Sequence, residues 1–349
     1  MYRILSIDGG GLRGIVPVQI LKHIEIITGK SIFECFDFFA GTSTGGLISA
    51  GLTVKSEDGF TPKHSIEEIE EVYLKRGKDI FPTKGVLHDW YRKQIFSYLF
   101  KPQFKPEGLQ SVLEELLHDS SSNPLRISDC LKPIFIPTYD LVTNSPVFFK
   151  SRYAANDPKR NASLVDVCRA TSAGPTYLPS YSFKYPQEFG RQKTQNITAI
   201  DGGVFINNPA MGALVEVIKH KSDLFYNYPD LKDEEIFVLS IGTGIYSNDI
   251  SMNSNRWGKL KWIKPTIDIM MRGNSQAVDY QATEGLNFNK NVKNYLRINV
   301  DIEEKKFADM ANSDNETLKY LESRVIKDYI NNSGLQDQVG QFIQDAGIL

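Results

Sequence analysis

Two short apolar runs open the chain, and each leads directly into a glycine-rich turn and then a stretch with helical periodicity. Arg3–Ile7 reads as a strand and Asp8–Gly14 (Asp-Gly-Gly-Gly-Leu-Arg-Gly) as a turn. Gly14–Ile27 reads as a helix, because Ile15, Val18, Leu21 and Ile24 recur on one face. Phe36–Ala40 is a second, aromatic strand, and the small apolar stretch Thr44–Val54 follows it as a core helix. Strands separated by helices cannot pair as hairpins. This order predicts an α/β fold with a mostly parallel central sheet and helices on its faces.

The same pattern resumes along the chain. Strands are predicted at Pro133–Thr138, Pro146–Lys150, Ile197–Ile200, Ile236–Ile241 and Tyr295–Val300. Helices are predicted at Ile66–Arg76, Glu107–His118, Leu164–Thr171, Pro209–Lys221, Thr266–Gly285 and Asn315–Asn331. The polar stretches 119–125, 154–161, 185–195 and 246–256 read as loops, and none has the look of a linker. All 349 residues are therefore expected to form one domain, a core over about 4–300 and a helical extension over about 301–349. A net charge of −2 gives no global basic field for a nucleic-acid polymer. Cys35, Cys130 and Cys168 lie far apart, which suits free thiols and neither a disulfide framework nor a metal site. No cofactor or metal is expected. There is no signal-peptide pattern and no apolar run of about 18 residues. The expectation is a cytoplasmic protein that meets a membrane only at its surface.

The first turn formally satisfies G-x-G-x-x-G through Gly9, Gly11 and Gly14, so a dinucleotide site is the first rival. That use needs an acidic residue at the far end of the second strand, where Ala40-Gly41-Thr42-Ser43 stands instead. The other use of successive glycines before a helix is to aim backbone N–H groups at a negative charge. Arg13 can add a positive field there.

Gly41-Thr42-Ser43-Thr44-Gly45 is a G-x-S-x-G sequence at a strand-to-helix junction. A nucleophile on such a turn is strained and uncrowded, and the following helix points its positive end at the site. A serine hydroxyl needs a base. The five histidines, His23, His64, His88, His118 and His220, read as surface or structural residues, and none follows His220. Asp201-Gly202-Gly203 closes the apolar strand Ile197–Ile200, the placement of an active-site carboxylate in an open α/β sheet.

Together these segments resemble the patatin-like phospholipase family. Asp8–Gly14 is similar to its oxyanion-hole motif, Gly41–Gly45 to its nucleophile elbow and Asp201–Gly203 to its base motif. Ala170-Thr171-Ser172-Ala173-Gly174-Pro175-Thr176-Tyr177 resembles a further block, with Gly174 where the family usually has alanine. Gly203-Val204 through Asn207-Asn208-Pro209, and Ser240-Ile241-Gly242-Thr243-Gly244, match as well. The resemblance implies a three-layer α/β/α fold and a serine lipid acyl hydrolase of phospholipase A type. Ser43 would attack and Asp201 would take its proton. Gly9, Gly10 and Gly11 would hold the oxyanion with Arg13 in support, and Gly41, Gly45, Gly202 and Gly203 would shape the turns.

The partner implied is a phospholipid membrane surface, met peripherally at its inner face. Two segments suit docking. Phe81–Pro106 interleaves Lys84, Arg92, Lys93, Lys101 and Lys105 with Trp90, Tyr91, Phe96, Tyr98, Phe100 and Phe104, a mixture that also suits a nucleotide. Trp257–Arg272 carries Lys259, Lys261 and Lys264 beside Trp262, Ile263 and Met270, and is expected to be a core helix with a basic entry. Family members of this size include anti-phage effectors switched on by a cyclic dinucleotide, so such an activator and a homodimer are further expectations. The alternatives are a catalytically silent lipid- or nucleotide-binding module and a Ser-His-Asp esterase.

Overall fold

Eight strands form one mixed sheet in the computed structural model, which describes residues 1–82, 101–189, 192–223, 225–247, 251, 254–286 and 292–349. The main elements are β1 (Tyr2–Ile7), α1 (Ile15–Thr28), β2 (Phe38–Gly41), α2 (Thr44–Thr53), α3 (Glu107–Leu117), β3 (Ile134–Asp140) and β4 (Ser145–Lys150). They continue with α4 (Leu164–Thr171), β5 (Tyr181–Phe189), β6 (Gln192–Asp201), α5 (Ala210–His220), β7 (Ile236–Ile241), α6 (Lys259–Leu286), β8 (Tyr295–Ile298), α7 (Asn315–Val325) and α8 (Ser333–Asp345). The spatial order is β5-β6-β3-β2-β1-β7-β8, with β4 beside β3. Pairings from β3 through β8 on this path are parallel; β4, β5 and β6 join antiparallel.

The period of two in the strands splits the core between the two faces. Leu5, Ile7, Phe39 and Leu239 pack on one side with α1 and α2, while Tyr2, Ile4, Phe38, Ala40 and Val238 pack on the other with α5 and α6. The chain is thus a three-layer α/β/α structure. The two C-terminal helices join the first of these layers. Phe342 of α8 meets Phe237 at 5.9 Å edge to face, and Tyr329 after α7 meets His23 of α1 at 5.2 Å.

Three elements differ from the expected ones. The stretch 185–195 pairs as the β5–β6 hairpin. Its polar residues face outward and mask an alternating inner row in which Tyr185 packs edge-on against Phe149 at 5.0 Å. Helix α6 begins at Lys259, before Pro265, and so extends a full two turns upstream of the expected start. A last helix, α8, follows Asn332, whose side chain accepts the Leu335 N–H at 3.1 Å and so caps a turn-like Asn-Asn-Ser-Gly sequence. Among the described residues, no helix is long and apolar enough to cross a membrane.

The topology sets up the site. Residues Phe135 and Thr138 of β3 both pair with β4 on one edge. On the opposite edge Phe135 pairs with Ala40 of β2, and Thr138 pairs with Asp201 of β6. Since β2 runs parallel to β3 and β6 antiparallel, the carboxyl ends of β2 and β6 approach each other head to head across Pro137. The turn after each end carries one of the two side chains expected to work together.

Candidate active site

Ser43 caps the amino end of α2 with φ 53° and ψ −121°, a left-handed conformation that a residue with a Cβ adopts only under constraint. The constraint is backbone packing. A Cβ at Gly41 would sit 2.0 Å from the Gly45 carbonyl oxygen, and one at Gly45 would sit 2.2 Å from that of Ile7. Both glycines are therefore needed for the turn to close. The Ser43 N–H donates to Thr171 Oγ1 at 2.9 Å, and that hydroxyl donates to the Pro137 carbonyl at 2.7 Å. Thr171 thus ties the serine turn to β3, a role its place at the end of α4 does not announce.

Asp201 ends β6 and is buried, 7% exposed. Ser43 and Asp201 line the same pocket, and the Ser43 hydroxyl acts on the carboxylate as a donor that lowers its pKa. The Gly203 N–H donates to Oδ1 at 2.7 Å, and the Asp201 N–H donates to the Ala173 carbonyl at 3.0 Å. Burial pushes the carboxyl up to about 6, and the two donors, Gly203 N–H and the Ser43 hydroxyl, hold it from rising further. A carboxylate with that affinity for protons is a far better base than an exposed aspartate. Gly202 has no room for a Cβ, which would lie 2.4 Å from the Pro137 oxygen. At Gly174 an added Cβ would stand 3.6 Å from Asp201 Oδ2, an ordinary contact, so alanine would fit there equally well.

The glycine-rich turn lies over this pair. Gly9 N–H already donates to the Asn207 carbonyl at 3.1 Å, and Leu12 N–H donates to Met310 at 2.8 Å. Among the described residues the N–H groups of Gly10 and Gly11 make no hydrogen bond, and both glycines line the pocket that holds Ser43 and Asp201. The three-amide cradle expected from Gly9, Gly10 and Gly11 is therefore a two-amide cradle. Gly9 instead fixes the turn to the segment after Asp201. Gly11 has φ 58°, and a Cβ there would lie 2.4 Å from the Met310 oxygen.

Arg13 lies beside the turn. Its side chain lies outside the serine pocket and lines a separate cavity of about 680 Å³, with Asp8, Asp268 and Asp309. Nη1 donates to the Ala308 carbonyl at 3.4 Å. Burial lowers its pKa, and the nearby Tyr177 and aspartates oppose that shift. Arg13 is not among the residues lining the pocket of Ser43 and Asp201.

What anchors the turn is a pair the sequence reading missed. Arg297 of β8 binds Asp8 twice, at 2.8 and 2.5 Å, and donates to Ser240 Oγ at 2.7 Å. Ser275 of α6 links Asp8 (3.1 Å) to the Asn207 side chain (3.0 Å). The available signal was a lone arginine inside the apolar run Tyr-Leu-Arg-Ile. Arg297→Met leaves the Asp8 carboxylate buried without its cation, and is expected to cost about 3–5 kcal/mol of stability in urea unfolding.

From Ser43 an apolar slot runs between α2, α3 and the preceding helix region, lined by Leu47, Ile48, Ile69, Val112, Leu116 and Leu178. None of His23, His64, His118 and His220 lines this slot or the serine pocket: His23 bonds Tyr329, His64 bonds the Leu116 carbonyl, and His220 sits beside Glu216. His88 falls outside the described residues, as does most of the basic and aromatic segment Phe81–Pro106. Cys35, Cys130 and Cys168 are unpaired, and burial raises the pKa of each. Among the described residues no group of His, Cys, Asp and Glu is arranged to hold a metal ion.

A hydroxyl and a buried carboxylate in one pocket, with two unengaged amides and at the mouth of an apolar slot, suit acyl transfer from a long-chain ester to water. Comparison with known proteins reaches the same class from the sequence side. The family model described as patatin-like phospholipase matches residues 5–214. Patatin-like protein 3 of Arabidopsis thaliana is 33% identical over 93% of this chain and 79% of its own length. Patatin-like protein 2 of the same plant is 34% identical over 86% and 76%, and patatin-like protein 1 of Oryza sativa subsp. indica is 33% identical over 84% and 73%. The chain belongs to the patatin-like phospholipase family and is a lipid acyl hydrolase.

Proposed function

We propose that this protein cleaves acyl esters of membrane glycerophospholipids through Ser43 and Asp201 alone. As Ser43 Oγ attacks the acyl carbonyl, Asp201 accepts its proton. The carbonyl oxygen becomes an oxyanion held by the Gly10 and Gly11 N–H groups. Collapse expels the lysophospholipid alkoxide, which takes the proton back from Asp201. Asp201 then draws a proton from water, which attacks the acyl-Ser43 ester and releases the fatty acid. The final proton returns to Oγ. The placing of the Ser43 hydroxyl and a buried carboxylate in one pocket, where the hydroxyl lowers the carboxyl pKa, is the observation that supports this reading.

The base must be ionised to start the cycle. With the Asp201 carboxyl at about 6, kcat/KM is expected to rise about tenfold per pH unit below that value and to level off above it. A pH–rate profile on a monomeric ester reads this directly. An acidic limb that stays flat down to about pH 4, the ordinary carboxylate range, would remove Asp201 as the base.

Activation by a cyclic dinucleotide, a homodimer and action at the inner membrane face complete the proposal and are separable from the chemistry. Vesicle hydrolysis measured with and without added cyclic dinucleotide tests the switch. Full turnover in its absence leaves the hydrolase and removes the effector role.

A further inference from the structure

We infer that the first half of α6 is the surface through which this protein docks on an anionic lipid bilayer. The inference rests on the lipid-hydrolase reading of the neighbouring pocket and names the element that brings that pocket to its substrate.

The starting point is an apolar stripe that does not stop where the protein does. At helical spacing Leu260, Ile263, Ile267 and Met271 fall on one side of α6, with Met270 beside them. Ile267 and Met271 line the pocket that contains Ser43 and Asp201. One and two turns upstream of Ile267 the same stripe runs into solvent, with Ile263 48% and Leu260 70% exposed, and Met270 beside it is 47% exposed. The helix was expected to be buried here, and the structure puts its apolar side outside instead. Phe60 and Val215 stand singly on separate elements, and Ile26–Ile27 and Leu141–Val142 are no more than adjacent pairs, so none forms such a stripe.

The charge pattern selects the occupant. Between Ile250 and Ile267 the sequence has four cations, Arg256, Lys259, Lys261 and Lys264, and no carboxylate. Trp257 and Trp262 meet edge to face at 5.0 Å, and the Lys261 ammonium lies over the Trp257 ring at 4.9 Å. A helix with an apolar stripe, flanking lysines and two tryptophans at one end fits the boundary between lipid headgroups and acyl chains. A second copy of this chain fits poorly. A two-fold interface centred on the stripe would set these cations against their own symmetry mates. A bilayer also explains the continuity with the pocket. An acyl chain leaving the membrane along Leu260 and Ile263 reaches Ile267, Met271 and Ser43 without crossing water.

The test separates docking from catalysis by using full-length Ser43→Ala protein, whose vesicle binding does not depend on turnover. It is sedimented with vesicles of phosphatidylcholine alone and of phosphatidylcholine mixed with phosphatidylglycerol. The expected result is binding that favours the anionic vesicles and falls about tenfold or more when Leu260→Glu and Ile263→Glu are added. In protein that retains Ser43, the same pair should lower the ratio of vesicle-lipid to monomeric-ester turnover to a similar degree. Both side chains are exposed, and a thermal melt matching the parent certifies the fold; Leu260→Ser with Ile263→Ser is the milder substitute if it does not match. Undiminished sedimentation of the variant, or failure of the parent to bind either vesicle, overturns the inference. So does a variant that turns a dimer into a monomer while still binding vesicles, since the stripe would then belong to a second copy.

Discussion

Replacing Ser43 with alanine is expected to lower kcat for ester hydrolysis by about 10⁴-fold or more, because the acyl intermediate forms on its oxygen. The change removes one oxygen and leaves the turn intact. The φ of 53° at position 43 is imposed by the contacts of Gly41 and Gly45, and alanine meets the same constraint as serine. Substrate binding in the apolar slot should therefore be little altered, with KM nearly constant and the melting temperature close to that of the parent. One secondary effect follows. The Ser43 hydroxyl is one of two donors that restrain the Asp201 carboxyl, so its loss should move that group further upward. Steady-state kinetics on a monomeric ester, with a melt as control, check all three points. Turnover within a few fold of the parent would mean that another nucleophile is at work.

Asp201→Asn should be as damaging to turnover, about 10⁴-fold in kcat, yet stabilising to the fold. Asparagine keeps an oxygen for the Gly203 N–H but cannot accept a proton from Ser43. The stability effect has a definite sign. Burial raises the carboxyl from 3.8 to about 6. Below 3.8 the group is protonated in both native and unfolded chains and contributes nothing. Between those values the native state keeps a proton that the unfolded state has lost, so stability falls as pH rises. Above about 6 the penalty is complete, and about 2 pKa units correspond to roughly 3 kcal/mol. The asparagine variant is therefore expected to be more stable than the parent by up to about 3 kcal/mol near pH 8, and the gap should close near pH 4. Urea unfolding at the two pH values measures it. An aspartate held at such a net cost, in spite of the Gly203 N–H that it accepts, is what a site paid for in activity looks like.

How much of this was legible in the chain depends on what each feature rests on. Ser43 and its glycines were legible because their constraint is local: Gly41 and Gly45 collide with backbone four residues away or on the adjacent strand, whatever the side chains around them. Asp201 was legible as an acid at a strand end followed by two glycines. The hydrogen bonding of Gly9 was not. Its partner, the Asn207 carbonyl, arrives on a segment that the sheet topology brings alongside, and no pattern around Gly9 announces it. The Asp8–Arg297 pair failed for the same reason, since its members sit on β1's exit and on β8. The β5–β6 hairpin was hidden by polar residues on its outer row. The docking helix shows the converse limit. Apolar periodicity marks a face that must be covered, but it does not say whether protein or lipid covers it, and at Leu260 and Ile263 the packing against the body has already ended.

Covalent trapping addresses the central claim most directly. A fluorophosphonate carrying an alkyl chain reacts with an activated serine hydroxyl, the oxygen displacing fluoride to leave a phosphonate ester. Digestion and mass spectrometry of the treated, active protein should place a single adduct on the peptide containing Ser43. Asp201→Asn should label much more slowly under the same conditions. An adduct on a different residue, or fully inactivated protein with Ser43 unmodified, would contradict the assignment of Ser43 and Asp201 as the reacting pair.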